Sequence, residues 1–230
     1  MRLTIPSDLS ALLHTGLWRS VGSLGIKVAT AGLTYLTYVV LSRTQTPDEY
    51  GHFAFGLALA TVLAIAAGVG QPMAVLRLWP QESVAGRTAS ASRVVAAGSS
   101  LTILASLVIA LALCILVFLA RPLIEGSVNH FYGAAFLILP MALAEYNSSA
   151  LRAQNSLWSA LVPRDILWRL ALPGAVLALF AVGVVLSGPD ALVLAAALLA
   201  GTLALQFWQA RRAGYELFPS LAGLGDYWKT

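Results

Sequence analysis

Residues 94–120 read VVAAGSSLTILASLVIALALCILVFLA, 27 residues without a charge, with Arg93 before them and Arg121 after. At ~1.5 Å per residue such a helix exceeds a ~30 Å hydrocarbon layer, so the run is a membrane span with room to tilt. Its small residues Ala96, Gly98, Ser99, Ser100 and Ser106 favour close helix packing over lipid exposure. Five more apolar runs, 21–41, 52–75, 128–144, 170–186 and 191–210, have span-like lengths. The Lys and Arg residues around them alternate in number. Arg2, Arg19 and Lys27 precede or enter the first run, and Arg43 alone follows it. Arg77, Arg87 and Arg93 follow the second, Arg121 alone the third, and Arg152, Arg164 and Arg169 the fourth. The gap at 188–190 holds none, and Arg211, Arg212 and Lys229 follow the sixth. Basic residues accumulate on the cytoplasmic side of membrane helices. The expected fold is therefore all-α: a polytopic membrane helix bundle with six transmembrane helices and both termini cytoplasmic.

Composition agrees. The 230 residues are 59% hydrophobic and 10% charged, with a mean hydropathy of +0.81, which no soluble domain of this size sustains. The pI near 9.5 comes from basic residues in short loops beside apolar runs, so anionic headgroups explain it and nucleic acid does not. Cys114 is the single cysteine and lies inside an apolar run, which excludes an intramolecular disulfide and a thiolate metal cluster. His14, His52 and His130 fall at different loops and span ends, so no metal is expected. The first run follows a basic N-terminus but is too long for a signal peptide and ends in Tyr38, Val39 and Val40, without a small-residue cleavage site. Trp18, Trp79, Trp158, Trp168, Trp208 and Trp228 all lie toward the inferred inner side, as an aromatic belt would.

Local punctuation sets the connections. Residues 188–190 (Gly-Pro-Asp) predict a tight turn that makes spans five and six antiparallel neighbours. Pro140 predicts a kink in span four, and Pro173 is near the start of span five, where proline is better tolerated. Gly68, Gly70 and Pro72 loosen the inner end of span two. Residues 150–169 read as helix ends projecting past the membrane around a break at Pro163. Residues 1–212 form the six-span lobe, and 213–230, with Leu217, Phe218, Leu221, Leu224 and Trp228, read as an interfacial segment or the start of a linker.

Span one is unusual. Ser23, Lys27, Thr30, Thr34 and Thr37 recur at helical spacing, with Tyr38 beside them, so they share one face. A polar stripe across a membrane helix faces protein or water rather than lipid, and the reading is a cavity-lining face. Ordinary Ser/Thr packing against a neighbouring helix is the plainer explanation. Lys27 precedes Arg43 by sixteen residues, ~24 Å along the axis, which puts it ~6 Å inside a ~30 Å core. It is either a cavity cation or a snorkelling anchor. Glu145 closes span four, with Arg152 seven residues on, and is placed to pair with Arg77 or Lys27 or to serve as a boundary charge. Asp48 and Glu49 read as a solvated turn. No G-x-S-x-G, H-E-x-x-H or Walker motif is present, so neither covalent chemistry nor a cofactor is expected.

Arg43, Pro47, Glu49, Tyr50, Gly51 and Phe53, directly after a polar-striped first helix, resemble the first outer loop of polysaccharide (O-antigen type) flippases. These belong to the multidrug, oligosaccharidyl-lipid and polysaccharide exporter superfamily. Gly22, Ser23 and Lys27 before that loop, Arg77 closing span two, and Ala150, Leu151 and Arg152 fit the same pattern, so the resemblance covers nearly the whole chain. It implies a multi-pass protein of the bacterial inner membrane that moves a polyprenyl-diphosphate-linked oligosaccharide between leaflets for surface polysaccharide or lipopolysaccharide synthesis. It further implies that Lys27, Arg77 and Arg152 hold the diphosphate, with Glu145 as a further cavity candidate. Ser23, Thr30, Thr34, Thr37 and Tyr38 would line the path, and Arg43 would guard the outer mouth. Members build two lobes around a central cavity. Six spans make one, so the expected partners are the lipid-linked substrate, membrane lipid, and a second six-span lobe or a second copy. The rival readings are a six-span permease or channel subunit for a small solute, and a non-transporting scaffold for envelope synthesis.

Overall fold

The computed structural model describes residues 7–124, 126–215, 217 and 219, with side chains from Val21 onward. Among these residues the protein is helical throughout, without a strand. The helices are α1 Ser7–Thr44, α2 Pro47–Ala67, α3 Gln71–Val84, α4 Thr88–Ala120, α5 Asn129–Ala153, α6 Leu157–Leu161, α7 Trp168–Ala181 and α8 Gly188–Arg212. A π-helical segment, Val162–Leu167, joins α6 to α7. Five stretches are long and apolar enough to cross a membrane: Val21–Thr44, Pro47–Val84, Thr88–Leu123, Asn129–Ala153 and Gly188–Arg212.

The first, third and sixth expected spans lie within α1, α4 and α8, and the other three are corrected. The second is two helices. Val69 and Gly70 take left-handed φ values of 46° and 71°, which stop α2, and α3 restarts with Pro72 in its first turn. The glycines therefore break the run rather than loosen its end. The fourth does not stop at residue 144. Glu145, Asn147, Ser148 and Ser149 lower the hydropathy, yet α5 continues to Ala153, with Asn147, Ser148 and Ser149 buried against protein. Pro140 is buried inside this helix, which runs through it. The fifth is shifted. Helical winding runs from 157 to 181, and the chain break lies at 154–156, where Asn155 adopts φ 63°, not at Pro163. Gly183, at φ 85°, caps the C-terminus, with the Val184 N–H donating to Leu179 O at 2.9 Å. The apolar residues 182–186 fall beyond that cap. α8 begins at Gly188 with Ser187 as its cap, so 188–190 is a first helical turn rather than a loop.

α5 is the hub, packing against α2, α4 and α8. One core gathers Leu41, Phe53, Leu137, Leu172, Leu192 and Leu199 around its N-terminal half, and another gathers Val75, Val95, Tyr146, Leu151 and Leu217 around its C-terminal half. Burial of Leu217 ties the start of the expected interfacial segment to the bundle. Residues 216, 218 and 220–230 of that segment, and the side chains of Arg2, His14, Trp18, Arg19, Trp228 and Lys229, lie outside the described residues. Gly98 on α4 admits the Tyr146 ring, whose hydroxyl donates to Val95 O at 2.7 Å. The small residues of span three accordingly face protein. The C-terminal half of α4 turns Leu104, Leu111, Leu116, Phe118 and Leu119 outward, more than half exposed, as a lipid-facing surface requires.

At the expected outer end the α1–α2 turn is docked on the start of α8. Gln45 Nε2 donates to Leu186 O and Ser187 O at 3.1 and 3.3 Å, and the Gly188 N–H donates to Glu49 Oε2 at 2.6 Å. A Cβ on Gly188 would collide with the Glu49 carbonyl, so glycine is needed there for close approach. This docking fixes the tilt of α1 against the rest of the bundle, and with it the position of the polar stripe.

A charged cavity inside the bundle

The stripe on α1 is local before it is functional. Thr30, Thr34 and Thr37 donate their hydroxyl hydrogens back to Ile26 O, Thr30 O and Leu33 O at 2.7, 2.7 and 2.9 Å. That satisfies each donor within the helix and leaves the oxygen lone pairs as acceptors. Thr34 Oγ1 uses one, accepting from Arg169 Nη1 at 2.6 Å. Thr30 Oγ1 also approaches Asp165 O at 3.2 Å, so the π segment and the start of α7 lie along the stripe.

Between α1, α2, α5 and α7 the helices leave a cavity of about 340 Å³. Thr34 and Tyr38 line it from α1, Thr61 from α2, Glu145 from α5, and Arg164 and Arg169 from the π segment and α7. Leu57, Ile65, Met141, Trp168 and Leu199 complete an apolar wall. Thr34 is ten residues from the C-terminal end of the Val21–Thr44 span, ~15 Å along the axis and so near the middle of that span. Ionisable groups at that depth are costly and default to functional sites.

Arg164 forms an ion pair with Glu145, and its Nε lies 3.7 Å from Asp165 Oδ1. Arg169 differs. It makes no ion pair among the described residues. Its Nη1 donates to the neutral Thr34 hydroxyl, its Nε is buried without a partner, and its guanidinium carbon lies 4.9 Å from the Trp168 ring centre. A buried N–H of a cation without an acceptor is a donor held ready for one.

The π winding helps bring the two arginines together. Residues five apart on an α-helix diverge by ~140°, whereas the wider winding of i→i+5 hydrogen bonding brings them nearer to one face. Arg164 and Arg169 are five apart, and the π segment Val162–Leu167 includes most of that interval.

The structure therefore gathers some expected site residues and disperses others. Thr34, Tyr38 and Glu145 meet in the cavity. Tyr38 is held there by edge-to-face contacts with Tyr50 and Phe53, both at 6.4 Å between ring centres. Thr37 is buried in the packing instead, Ser23 is half-buried further along α1, and Thr30 bonds toward the π segment. Lys27 and Arg77 are exposed on α1 and α3, away from the cavity. Arg152 sits in the last turn of α5, bonded to Ser148 O and Ser149 Oγ, and Arg43 is exposed at the end of α1. Glu145 lies within α5 rather than at a span end, and its partner is Arg164 rather than Arg77 or Lys27. Arg164, Arg169 and Thr61 also line the cavity and are not singled out by the sequence, where loop placement alone assigns both arginines to orientation. Trp168 is a cavity wall, buried to 4% exposure, rather than part of a belt.

Near the starts of α2 and α5, His52 and His130 are stacked, 4.7 Å between ring centres and 8° between planes, so two of the three histidines are neighbours rather than scattered. No group of three or more His, Cys, Asp or Glu suited to a metal occurs among the described residues.

Compared with known families, the chain matches one model, described as polysaccharide biosynthesis protein, over residues 17–213. That stretch contains the cavity and every expected site residue. No curated protein and no solved structure gives a significant match.

Proposed function

Because the chain belongs to the polysaccharide biosynthesis protein family, matched from residue 17 to 213, we propose that this multi-pass membrane protein translocates a polyprenyl-diphosphate-linked oligosaccharide across the bacterial inner membrane. The observation that supports the proposal is Arg169, which makes no ion pair among the described residues and faces a cavity beside the middle of the first span. A diphosphate supplies the missing acceptors, and Arg164 beside it supplies a second guanidinium. Six crossings with both termini cytoplasmic fit this reading, the continuous helical stretch 157–181 serving as the crossing beyond the five long helices.

Size decides what one lobe can hold. A volume of about 340 Å³ is at the lower end for ligand pockets, enough for a diphosphate but not for an oligosaccharide. The glycan would need space completed by a second six-span lobe or a second copy of this chain, while the polyprenyl tail stays in lipid. Motion would be rocking of one lobe against the other around the fixed cations, without covalent chemistry. The small cavity also supports a second reading, a permease for a small anionic solute.

Replacing Arg169 by Ala tests both. Surface polysaccharide is expected to fall at least tenfold at unchanged protein level, with no change in small-anion uptake by vesicles. Export unaffected by Arg169→Ala would overturn the flippase reading. Loss of anion uptake with normal export would favour the permease.

A further inference from the structure

The winding that carries the two arginines is itself unusual. π-helical turns are rare and occur frequently at functional sites. Val162–Leu167 is such a segment, and Pro163 lies inside it. Proline has no N–H, so the Ser159 carbonyl, four residues earlier, loses its ordinary helical donor.

Side chains from two other helices reach this segment. Gln206 of α8 is fully buried, and its Nε2 donates to Ser159 O and Ala160 O at 2.9 and 3.4 Å. The donor that Pro163 withholds is thereby replaced. Thr30 of α1 reaches the backbone at Asp165. Its Oγ1 lies 2.7 Å from Ile26 O and 3.2 Å from Asp165 O, so one hydroxyl hydrogen serves two carbonyls. Ile26 O lies within α1, where the helix supplies a backbone N–H, so the hydroxyl matters more at Asp165. One turn along α1, Thr34 accepts from Arg169. Neither Thr30 nor Gln206 lines the cavity.

Resting on the translocation reading above, we propose that Thr30 and Gln206 are positioning residues for the anion site, holding the π winding from α1 and α8 so that one diphosphate engages both Arg164 and Arg169. They act through the backbone of the segment and not on the ligand. Relaxation to α-helical winding would turn residues five apart away from each other, toward the ~140° of a regular helix, and leave the ligand a single guanidinium. α1 packs chiefly against α7 and the π segment, so the threonine stripe serves to dock that segment as well as to line the cavity.

The test is farnesyl diphosphate binding to the full chain in nanodiscs, titrated to saturation. Thr30→Val keeps the shape and loses the hydroxyl, and is expected to bind about three- to tenfold more weakly than the native protein, the range of one hydrogen bond. Thr30→Ser returns the hydroxyl and is expected to bind within about twofold of native. In an Arg164→Gln background, Thr30→Val should change affinity by less than about twofold, because no second guanidinium is left to align and Thr34 still holds Arg169. Native affinity in Thr30→Val, or a loss that Thr30→Ser does not restore, would overturn the positioning role and leave translocation standing. An equal loss in both backgrounds would do the same, since a residue that touches ligand or only supports the fold behaves that way. Absence of binding by the native protein would remove both. Should Thr30→Val fail to fold, Gln206→Met, which removes the other tie at similar volume, is read in the same two backgrounds with the same outcomes.

Discussion

Two regions of this bundle place polar side chains deep among apolar helices, and they do opposite things. The α4–α5 seam carries Ser100, Thr102 and Ser106, whose hydroxyls donate to Ala96 O, Gly98 O and Thr102 O at 3.0, 2.8 and 2.6 Å. Tyr146 fills the notch at Gly98, and none of the buried side chains of α4 is charged. The cavity face carries threonines bonded in the same backward manner, but Arg164, Arg169 and Glu145 stand opposite them across about 340 Å³ of free space. The threonines are alike in both places. What separates packing from a site is charge together with unfilled volume.

The largest expected effect lies in the seam. Tyr146→Ala would remove a fully buried ring and its bond to Val95 O, costing on the order of 3–5 kcal/mol by analogy with other large aromatic truncations. Thermal unfolding in detergent should fall sharply, and export would decline only through loss of protein. The cavity reverses this. Arg169→Ala removes a cation whose Nε has no partner, so stability should hold or rise. Losing a charge-assisted hydrogen bond to ligand, worth about 1.5–3 kcal/mol, should weaken binding ~10–100-fold. A steep stability loss for Arg169→Ala would erase the distinction between the two regions.

A smaller effect sharpens it. Asn147 is fully buried, and neither its Nδ2 nor its Oδ1 has a partner. If the buried face of α5 around Asn147 is packing alone, Asn147→Leu, similar in volume and free of that desolvation cost, should stabilise the protein by ~1 kcal/mol. Calorimetry of the variant checks this. Destabilisation instead would show that the amide holds something in the native protein.

These contrasts also mark how far the sequence could be read. The helical class and the approximate span positions followed from charge-free runs, because lipid forces backbone groups to pair within each segment. Thr34 and Tyr38 were legible as cavity residues because helical periodicity aligns one face. Arg164 and Arg169 were not, since a stretch bearing three charges looks like a loop until packing is known. Their convergence depends on a π segment, and Pro163 inside that segment reads more naturally as a break. The end of span four was misplaced for a related reason. Hydropathy assumes a lipid neighbour, and from Tyr146 to Leu151 the neighbour is protein.

The smallest effect is the most discriminating between the stripe and the cavity. Lys27 lies seven residues from Thr34 on the same face of α1, and on charge alone it is the obvious ligand for a diphosphate. The structure instead leaves Lys27 exposed, ~10 Å along the axis from Thr34, close enough to the inner boundary for its ammonium to reach headgroups. An exposed anchoring charge contributes within about 0.5 kcal/mol, so Lys27→Ala should change export less than about twofold. Quantified surface glycan at matched protein level, with Arg169→Ala alongside, measures the difference. If Lys27→Ala instead matched Arg169→Ala, the ligand would have to contact the stripe below the cavity. The binding region would then extend along α1 toward the inner face rather than ending at Thr34.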